Sequence, residues 1–458
     1  MIHPTTLIKN QTAADLYGYA KSLPIIDYHN HLSFSDLQNN RRFTDIYTLW
    51  IEPDPYKHRA MRMCGVEEAY ITGDADPMEK FIRWCETLSK LIGNPLHTWS
   101  QMELERLLGL QIMPNADNAA QIWRECNTYL ETHEITSLSL LDMFGAEYVS
   151  PCASVLDDMT LCRENRKVAP SLRGDDIVGV TPMFLERLRA LAGMEIRDLD
   201  AFQKAIQVRL DVFVSCGCRF SDHALDNGFV YVPDDGHNDE RFRALCNGAL
   251  PEGEKNKLSS CILTFLGEEY ASRGMTMQLH IGAQRYTSTR LRQAAGAAGG
   301  YAGIGNSVDI RSLTHFLDAL ERGQYGLPKT VLFALNPADN APLSVLSGSY
   351  SRDGVAGLVT QGPAWWWCDH SSGIREVLES SAAFGVLHNF LGMTTDSRSF
   401  LSFVRHDYFR RILCSWLGEK VEGGEWMCTA DDLRELVYRI CYKNAHEIIC
   451  KGVQTYDI

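Results

Sequence analysis

The chain has 458 residues, of which 45% are hydrophobic and 22% are charged, as is ordinary for a globular protein with a large core. Its formal net charge of -14 argues against binding to nucleic acid or to an anionic membrane surface, because both need a basic protein surface. No uninterrupted apolar stretch approaches the length of a membrane span, and no basic and apolar leader pattern opens the chain. We therefore expect a cytoplasmic protein with reduced cysteines and with no nucleic-acid or membrane partner.

Eight short apolar segments recur along the chain, and several of them end in polar residues. They are 24–29, 146–152, 168–173, 218–223, 276–280, 330–336, 357–361 and 390–396. Between most of them lie stretches with helical apolar spacing. Strands that alternate with helices in this way are typical of an α/β protein, and eight of them indicate a (β/α)8 barrel, the TIM barrel, whose chemistry lies at the carboxyl ends of the strands. No linker or repeat divides the chain, so we expect a single domain over residues 1–458.

The gap after the first predicted strand is too long for one crossover. Residues 33–145 are rich in helix-forming residues and contain amphipathic stretches. The sequence therefore predicts a helical insertion at this point, lying over the barrel mouth, where it can contribute to substrate contacts.

A His-x-His pair at the end of the first predicted strand is the most specific chemical signal. His29 and His31 point to the same side of a strand, because residues two apart do so. Asp396 follows the last predicted strand, which neighbours the first in a closed barrel. Two imidazoles and one carboxylate form a three-ligand site for one divalent metal ion, with zinc as the expected ion. The alternative is that the histidines are structural and that Asp396 caps a helix.

Further polar residues follow other predicted strands. His280 is a candidate fourth ligand or proton-transfer group, with a structural histidine as the alternative. Three arginines lie at or just after predicted strand ends, and their guanidinium groups match a small anionic, oxygen-rich substrate; they are Arg173, Arg285 and Arg398. Trp365 and Trp366 offer aromatic walls for a sugar, although loop packing explains them equally well.

The chain resembles the uronate isomerase (glucuronate isomerase) family of the amidohydrolase superfamily, almost from end to end. The resemblance lies in the segments 27–32, 56–62, 92–99, 221–226, 280–285, 335–337, 365–366, 395–400 and 405–414. It implies a distorted (β/α)8 barrel with one divalent metal, usually zinc, and the interconversion of D-glucuronate with D-fructuronate and of D-galacturonate with D-tagaturonate. We also expect a homo-oligomer.

The resemblance also implies roles for individual residues of this chain. The resemblance implies metal ligands at His29, His31 and Asp396, and substrate contacts or proton transfer at Tyr56, Arg173, Asp222, His280, Arg285 and Arg398. One departure lies beside Tyr56, where Pro55 stands in place of the histidine usual in the family. Proline has no titratable ring and no N–H, so this position loses a substrate contact of the family.

Three functions are compatible with these residues. An aldose–ketose isomerase moves a proton between C2 and C1 through an enediol. Tyr56 or His280 would act at carbon, Asp396 or a metal-bound water would shuttle a hydroxyl proton, and Arg398 would contact the carboxylate and hydroxyl groups of the substrate. A metal-dependent hydrolase of a sugar-acid ester, lactone or amide would use the same ligands. A catalytically inactive uronate-binding protein is the third alternative, and Pro55 is the residue that favours it.

Overall fold

A parallel sheet of seven strands forms the centre of the computed structural model, which describes residues 5–159 and 167–451. The strands are β1 (Ile25–Asn30), β2 (Ala146–Ser154), β3 (Ser171–Arg173), β4 (Phe220–Leu225), β5 (Thr276–Ile281), β8 (Thr330–Ala334) and β9 (Val359–Gln361). They are paired in chain order, and a separate antiparallel pair is formed by β6 (Ala283–Gln284) and β7 (Gly303–Ile304). The curled parallel sheet surrounded by helices confirms the predicted α/β barrel in a distorted form.

Helices connect the strands and cover the sheet. They are α1 (Gln11–Ala20), α2 (Phe34–Gln38), α3 (Ile46–Trp50), α4 (Pro55–Met63), α5 (Pro77–Leu88), α6 (Pro95–Leu108), α7 (Ala119–Thr132), α8 (Ser137–Phe144), α9 (Asp175–Val178), α10 (Pro182–Ala192), α11 (Leu199–Ser215), α12 (Asn238–Cys246), α13 (Glu252–Ser272), α14 (Thr289–Ala295), α15 (Ile310–Glu321), α16 (Asn340–Leu346), α17 (Ser371–Phe384), α18 (Val404–Glu422), α19 (Ala430–Tyr438) and α20 (Asn444–Lys451). Single 3₁₀ turns lie at Glu68–Tyr70, Pro337–Asp339, Trp366–Cys368, Leu387–Asn389 and Phe400–Phe403, and Arg439–Lys443 is a π-helix. Along the described ranges, no helix combines the length and the apolar character that crossing a bilayer requires.

The register of the sheet brings polar residues to one edge. Arg173 pairs with Asp222 across β3 and β4, and His280 of β5 pairs with Ala224 of β4. Because parallel strands end at the same edge, the side chains that follow them lie near one another. Polar side chains therefore lie together at the carboxyl edge of the barrel.

The eighth predicted strand is not a strand. Segment 390–396 has irregular backbone, with a positive φ of 73° at Gly392 and of 46° at Asp396. Positive φ is incompatible with a pleated strand, and a Cβ at Gly392 would stand 2.0 Å from the carbonyl oxygen of Ile440. The segment nevertheless lies beside β1, because Asp396 donates its N–H to the carbonyl of His29 at 3.2 Å.

Helices α2 to α8 lie between β1 and β2, within residues 33–145. Their apolar faces share one buried cluster with β1 and α18; among its large members are Trp50, Phe81, Trp84, Trp99 and Trp416. Helix α4 begins where the Asp54 side chain accepts the N–H groups of Tyr56 and Lys57. Pro55 takes the first helical position, where its missing N–H costs nothing.

His58 of α4 makes the fold sensitive to acid. Burial lowers the pKa of its imidazole from 6.5 to about 4. Between these values the unfolded chain binds a proton that the folded chain does not, so stability rises with pH there and is lost on acidification. We expect wild-type protein to lose about 2 kcal/mol between pH 7 and pH 5 through this group. Thermal midpoints measured at both pH values should show a smaller loss in His58→Gln than in wild type.

The matched control is His315→Gln, which alters an exposed histidine and should leave the acid loss unchanged. Equal losses of the midpoint in wild type and in His58→Gln would contradict the assignment.

Candidate functional site

His29 and His31 meet Asp396 at the edge of the barrel. The Asp396 Oδ1 atom lies 3.0 Å from His29 Nε2 and 3.1 Å from His31 Nε2. His29 and Asp396 are buried, whereas His31 is partly exposed. The chain thus joins residues that are more than 360 positions apart into one cluster, as the His-x-His pattern predicts.

Hydrogen bonds to β1 hold Asp396 in its left-handed conformation. The Asp396 N–H is bonded to the carbonyl of His29, and the His31 N–H to the carbonyl of Ser397 at 2.9 Å. A non-glycine residue in this region costs of order 1 kcal/mol, so it persists only where the surroundings over-determine it. The strained turn aims the carboxylate at the two imidazoles.

The distances from Asp396 to each of the two histidines suit a shared divalent metal ion. Two ligands bound tetrahedrally at about 2.0–2.1 Å lie roughly 3.3 Å apart, close to the separations found between Asp396 and the two histidines. The second carboxylate oxygen of Asp396 is buried and has no hydrogen-bond partner within the described residues. Two imidazoles and a carboxylate leave coordination positions open for water or substrate.

The other side of the His29 ring faces a second set of polar groups. Cys152 Sγ lies 3.6 Å from His29 Nδ1 and 3.5 Å from Asp222 Oδ2. Two groups of described residues have ligand atoms that all lie within 4.8 Å of one another, and neither contains Asp396: His29 with His31 and Cys152, and His29 with Asp222 and His280. Burial lowers the pKa of His29, but the charges of Cys152 and Asp222 and the contact with Asp396 outweigh it and raise the pKa well above its usual value.

Asp222 and His280 form a close pair. His280 Nδ1 stands 2.7 Å from Asp222 Oδ1, and both residues are buried. The imidazole of His280 stacks on Phe333 at 4.2 Å and meets Trp365 edge-on at 4.7 Å. Burial, and next the charge of His29, lower the pKa of His280, so its imidazole is neutral at pH 7. Its Nε2 has no hydrogen-bond partner in the part of the chain that is described.

The three predicted arginines stand around the same space. Arg173 pairs with Asp175 at 3.1 Å, and Arg285 pairs with Asp226 at 2.8 Å while lying over the Trp366 ring. Arg398 lines the cavity. Partial desolvation of its guanidinium there, and next the positive charge of Arg173, lower the pKa of Arg398, and Arg285 acts in the same direction. Cations that repel one another in this way form a ready binding site for an anion.

Tyr56 lies between the insertion and the barrel. Its ring meets Trp367 at 5.2 Å and Trp99 at 6.2 Å, both edge-on. The hydroxyl is buried, and no described residue bonds to it. Burial, and next the charge of Asp369, raise the pKa of Tyr56 well above 10, so the hydroxyl keeps its proton at neutral pH.

One cavity of about 550 Å³ joins these residues. Every site residue that the sequence predicts lines it: His29, His31, Tyr56, Arg173, Asp222, His280, Arg285, Trp365, Trp366, Asp396 and Arg398. Pro55 also lines it, so the departure from the family pattern lies at the site itself.

Two residues at this site escape sequence reasoning. Cys152, which contacts His29, is one of fourteen scattered cysteines without metal-ligand spacing, and its place at the end of the second predicted strand is the signal that could have found it. Asp226 pairs with Arg285 in the cavity wall. It lies in the loop after β4, and the sequence does not predict where the side chain of a loop residue lies.

Comparison with known proteins identifies the family. A model of the glucuronate isomerase family matches residues 1–449. The uronate isomerase of Clostridium perfringens is 35% identical over 452 residues, and that of Caldicellulosiruptor saccharolyticus is 38% identical over 454 residues; each match covers 96% of this chain and 97% of the relative. The crystal structure of uronate isomerase from Thermotoga maritima is 28% identical, covers 98% of this chain and 99% of its own, and superposes with a TM-score of 0.90. This chain, with its histidine pair, Asp396 and rim of arginines in one cavity, belongs to the uronate isomerase family.

Proposed function

We propose that this protein is an aldose–ketose isomerase of hexuronates, which converts D-glucuronate to D-fructuronate and D-galacturonate to D-tagaturonate. The observation that carries the proposal is the single cavity in which the His29, His31 and Asp396 cluster lies with three arginines, in a member of the uronate isomerase family. A hexuronate has a carboxylate for the arginines and neighbouring oxygens for a divalent ion. Zinc as that ion and a cytoplasmic homo-oligomer as the working form remain predictions.

Substrate binding follows from the arginines. Arg398 and Arg173, which both line the cavity, hold the substrate carboxylate in this proposal, because guanidinium groups bind carboxylates through paired, charge-assisted hydrogen bonds. Arg285, held by Asp226, contacts hydroxyl groups, and Trp365 and Trp366 pack against the apolar face of the sugar. A divalent ion held by His29, His31 and Asp396 would polarise substrate oxygens as a Lewis acid.

The carbon-bound proton is assigned to His280. A neutral imidazole is the form that accepts a proton, and Asp222 at Nδ1 fixes its orientation and stabilises the imidazolium that forms. The same ring returns the proton to C1 on one face of the enediol. Tyr56 keeps its proton at neutral pH, and it therefore donates to a substrate oxygen as negative charge develops there.

A solvent-exchange measurement separates the three alternatives. Proton NMR of the metal-loaded protein with glucuronate or galacturonate in D2O should show ketose product with deuterium entering at the exchanged carbon. A hydrolase has no reason to exchange this proton, so hydrolysis of a uronate ester or lactone without exchange would sink the isomerase proposal. Tight uronate binding without turnover would instead establish the inactive binding protein.

Loss of the His280 base should slow proton transfer more than substrate binding. We expect His280→Gln to lower kcat by roughly 10²–10⁴-fold with KM changed little, since general base catalysis contributes this much. Asp222→Asn should lower kcat as well, because the orientation of the ring is lost. The control is His315→Gln on the exposed face of α15, which should act as wild type. Near-normal exchange at C2 in His280→Gln would remove this histidine as the base.

A further inference from the structure

Arg405 is a buried cation directly beneath the proposed site. It lies near the start of α18, and only 1% of its surface is exposed. Its Nη1 lies 3.1 Å from Asp369 Oδ2 and donates to the carbonyl of Thr395 at 3.2 Å. Thr395 immediately precedes Asp396, so the guanidinium is hydrogen-bonded to the turn that carries the Asp396 carboxylate.

The same guanidinium lies close to two rings of the insertion. Its carbon lies 4.7 Å from the centre of the Tyr56 ring and 4.2 Å from that of Trp99. Arg405 therefore contacts α4 and α6 of the insertion, the 3₁₀ turn after β9 through Asp369, and the segment before Asp396. It is the point at which the proposed proton donor is fixed relative to the barrel.

The energetics argue against a merely structural role. Burying a charge is costly, and replacing a buried ion pair with apolar residues is often neutral or stabilising. Arg405 also leaves its Nε without a hydrogen-bond partner among the described residues. A lysine would supply the charge, but it lacks the fork of donors with which the guanidinium reaches Asp369 and the Thr395 carbonyl while lying close to two rings.

The charges around Tyr56 give the guanidinium a specific task. Asp369, Asp396 and Asp54 all disfavour release of the hydroxyl proton, and the charge of Arg405 favours it. A donor surrounded by carboxylates alone would hold its proton too firmly to deliver it as the oxygen of the substrate becomes negative.

We propose that Arg405 is a positioning residue for Tyr56: it fixes the ring against the Asp396 turn and balances the carboxylates around the hydroxyl. This inference rests on the proposed function, because it assigns Tyr56 a proton transfer in that reaction. Arg405 touches no substrate and acts only through Tyr56.

A double-mutant cycle tests the proposal with steady-state kinetics. Arg405→Lys keeps the positive charge but replaces the planar guanidinium by an ammonium group. We expect kcat to fall by roughly 10–100-fold with KM within about threefold of wild type. In a Tyr56→Phe background, the same replacement should lower kcat by less than about threefold, because the group through which it acts is gone. Losses that multiply in the double variant would overturn the proposal.

Matched controls separate position from stability. Arg410→Lys alters another buried arginine of α18, whose guanidinium binds the carbonyls of Leu23 and Pro24, and should leave kcat near that of wild type. Asp369→Asn, which is nearly isosteric, gives a second variant of the same pair, and its effect should also vanish without the Tyr56 hydroxyl. A loss of kcat in Arg410→Lys as large as in Arg405→Lys would assign both effects to packing and overturn the proposal.

The outcomes also distinguish this inference from the proposed function. A wild-type protein that does not isomerise uronates rejects both. An active wild type in which Tyr56→Phe keeps full kcat retains the isomerase and rejects the role of Arg405.

Discussion

The site depends on the hydrogen bonds that the buried carboxylate of Asp27 accepts. Asp27 lies in β1, two residues before His29, with no exposed surface. Its oxygens accept hydrogen bonds from the Thr395 N–H and hydroxyl at 2.7 Å each and from the Thr394 hydroxyl at 3.0 Å. Asn30 also donates to it, at 3.0 Å.

The network offsets the cost of burying that charge. Burial raises the pKa of Asp27, but the contact with His406 and the hydrogen bonds from Thr395 outweigh it, so the pKa lies below its usual value. An ionised buried carboxylate with several donors is a strong constraint, since removal of any one of them leaves it under-satisfied. Asp27 thus fastens an irregular segment to β1, and this attachment brings Asp396 to His29 in the same strand and to His31 immediately after it.

His29 has a different partner at each of its two ring nitrogens. Asp396 lies at Nε2 of the His29 ring, and Cys152 lies at Nδ1. A metal-bound histidine needs a partner for its other ring nitrogen, and those partners tune the metal. His29 thereby connects the Asp396 side of the site to the Asp222 and His280 pair, so that a charge at one affects the other.

Much of this organisation is readable in the sequence, because it follows from local patterns. The seven apolar runs that form the parallel sheet alternate with helices, and the polar residues after them meet because parallel strands end at one edge. The eighth run is apolar but not extended, since Gly392 and Asp396 need positive φ. Nothing in composition separates such a segment from a strand.

Residues that act through tertiary contacts stay out of reach of sequence reasoning. Arg405 is an ordinary arginine at the start of a helix until the fold places it between Tyr56 and Trp99. Cys152 looks like any buried thiol until β2 ends beside His29. Pro55, in contrast, is singled out by the sequence, which indicates a lost substrate contact. The fold adds the reason why a proline is tolerated there, since it takes the first position of α4.

We propose that the metal ion binds on the side of His29 that faces Asp396. Anomalous diffraction at the metal absorption edge, from crystals of the zinc-loaded protein, tests this most directly. We expect one peak at about 2.0–2.2 Å from Nε2 of His29, from Nε2 of His31 and from the Asp396 carboxylate. A peak on the opposite side of the ring, bonded to Asp222 and His280, would contradict it.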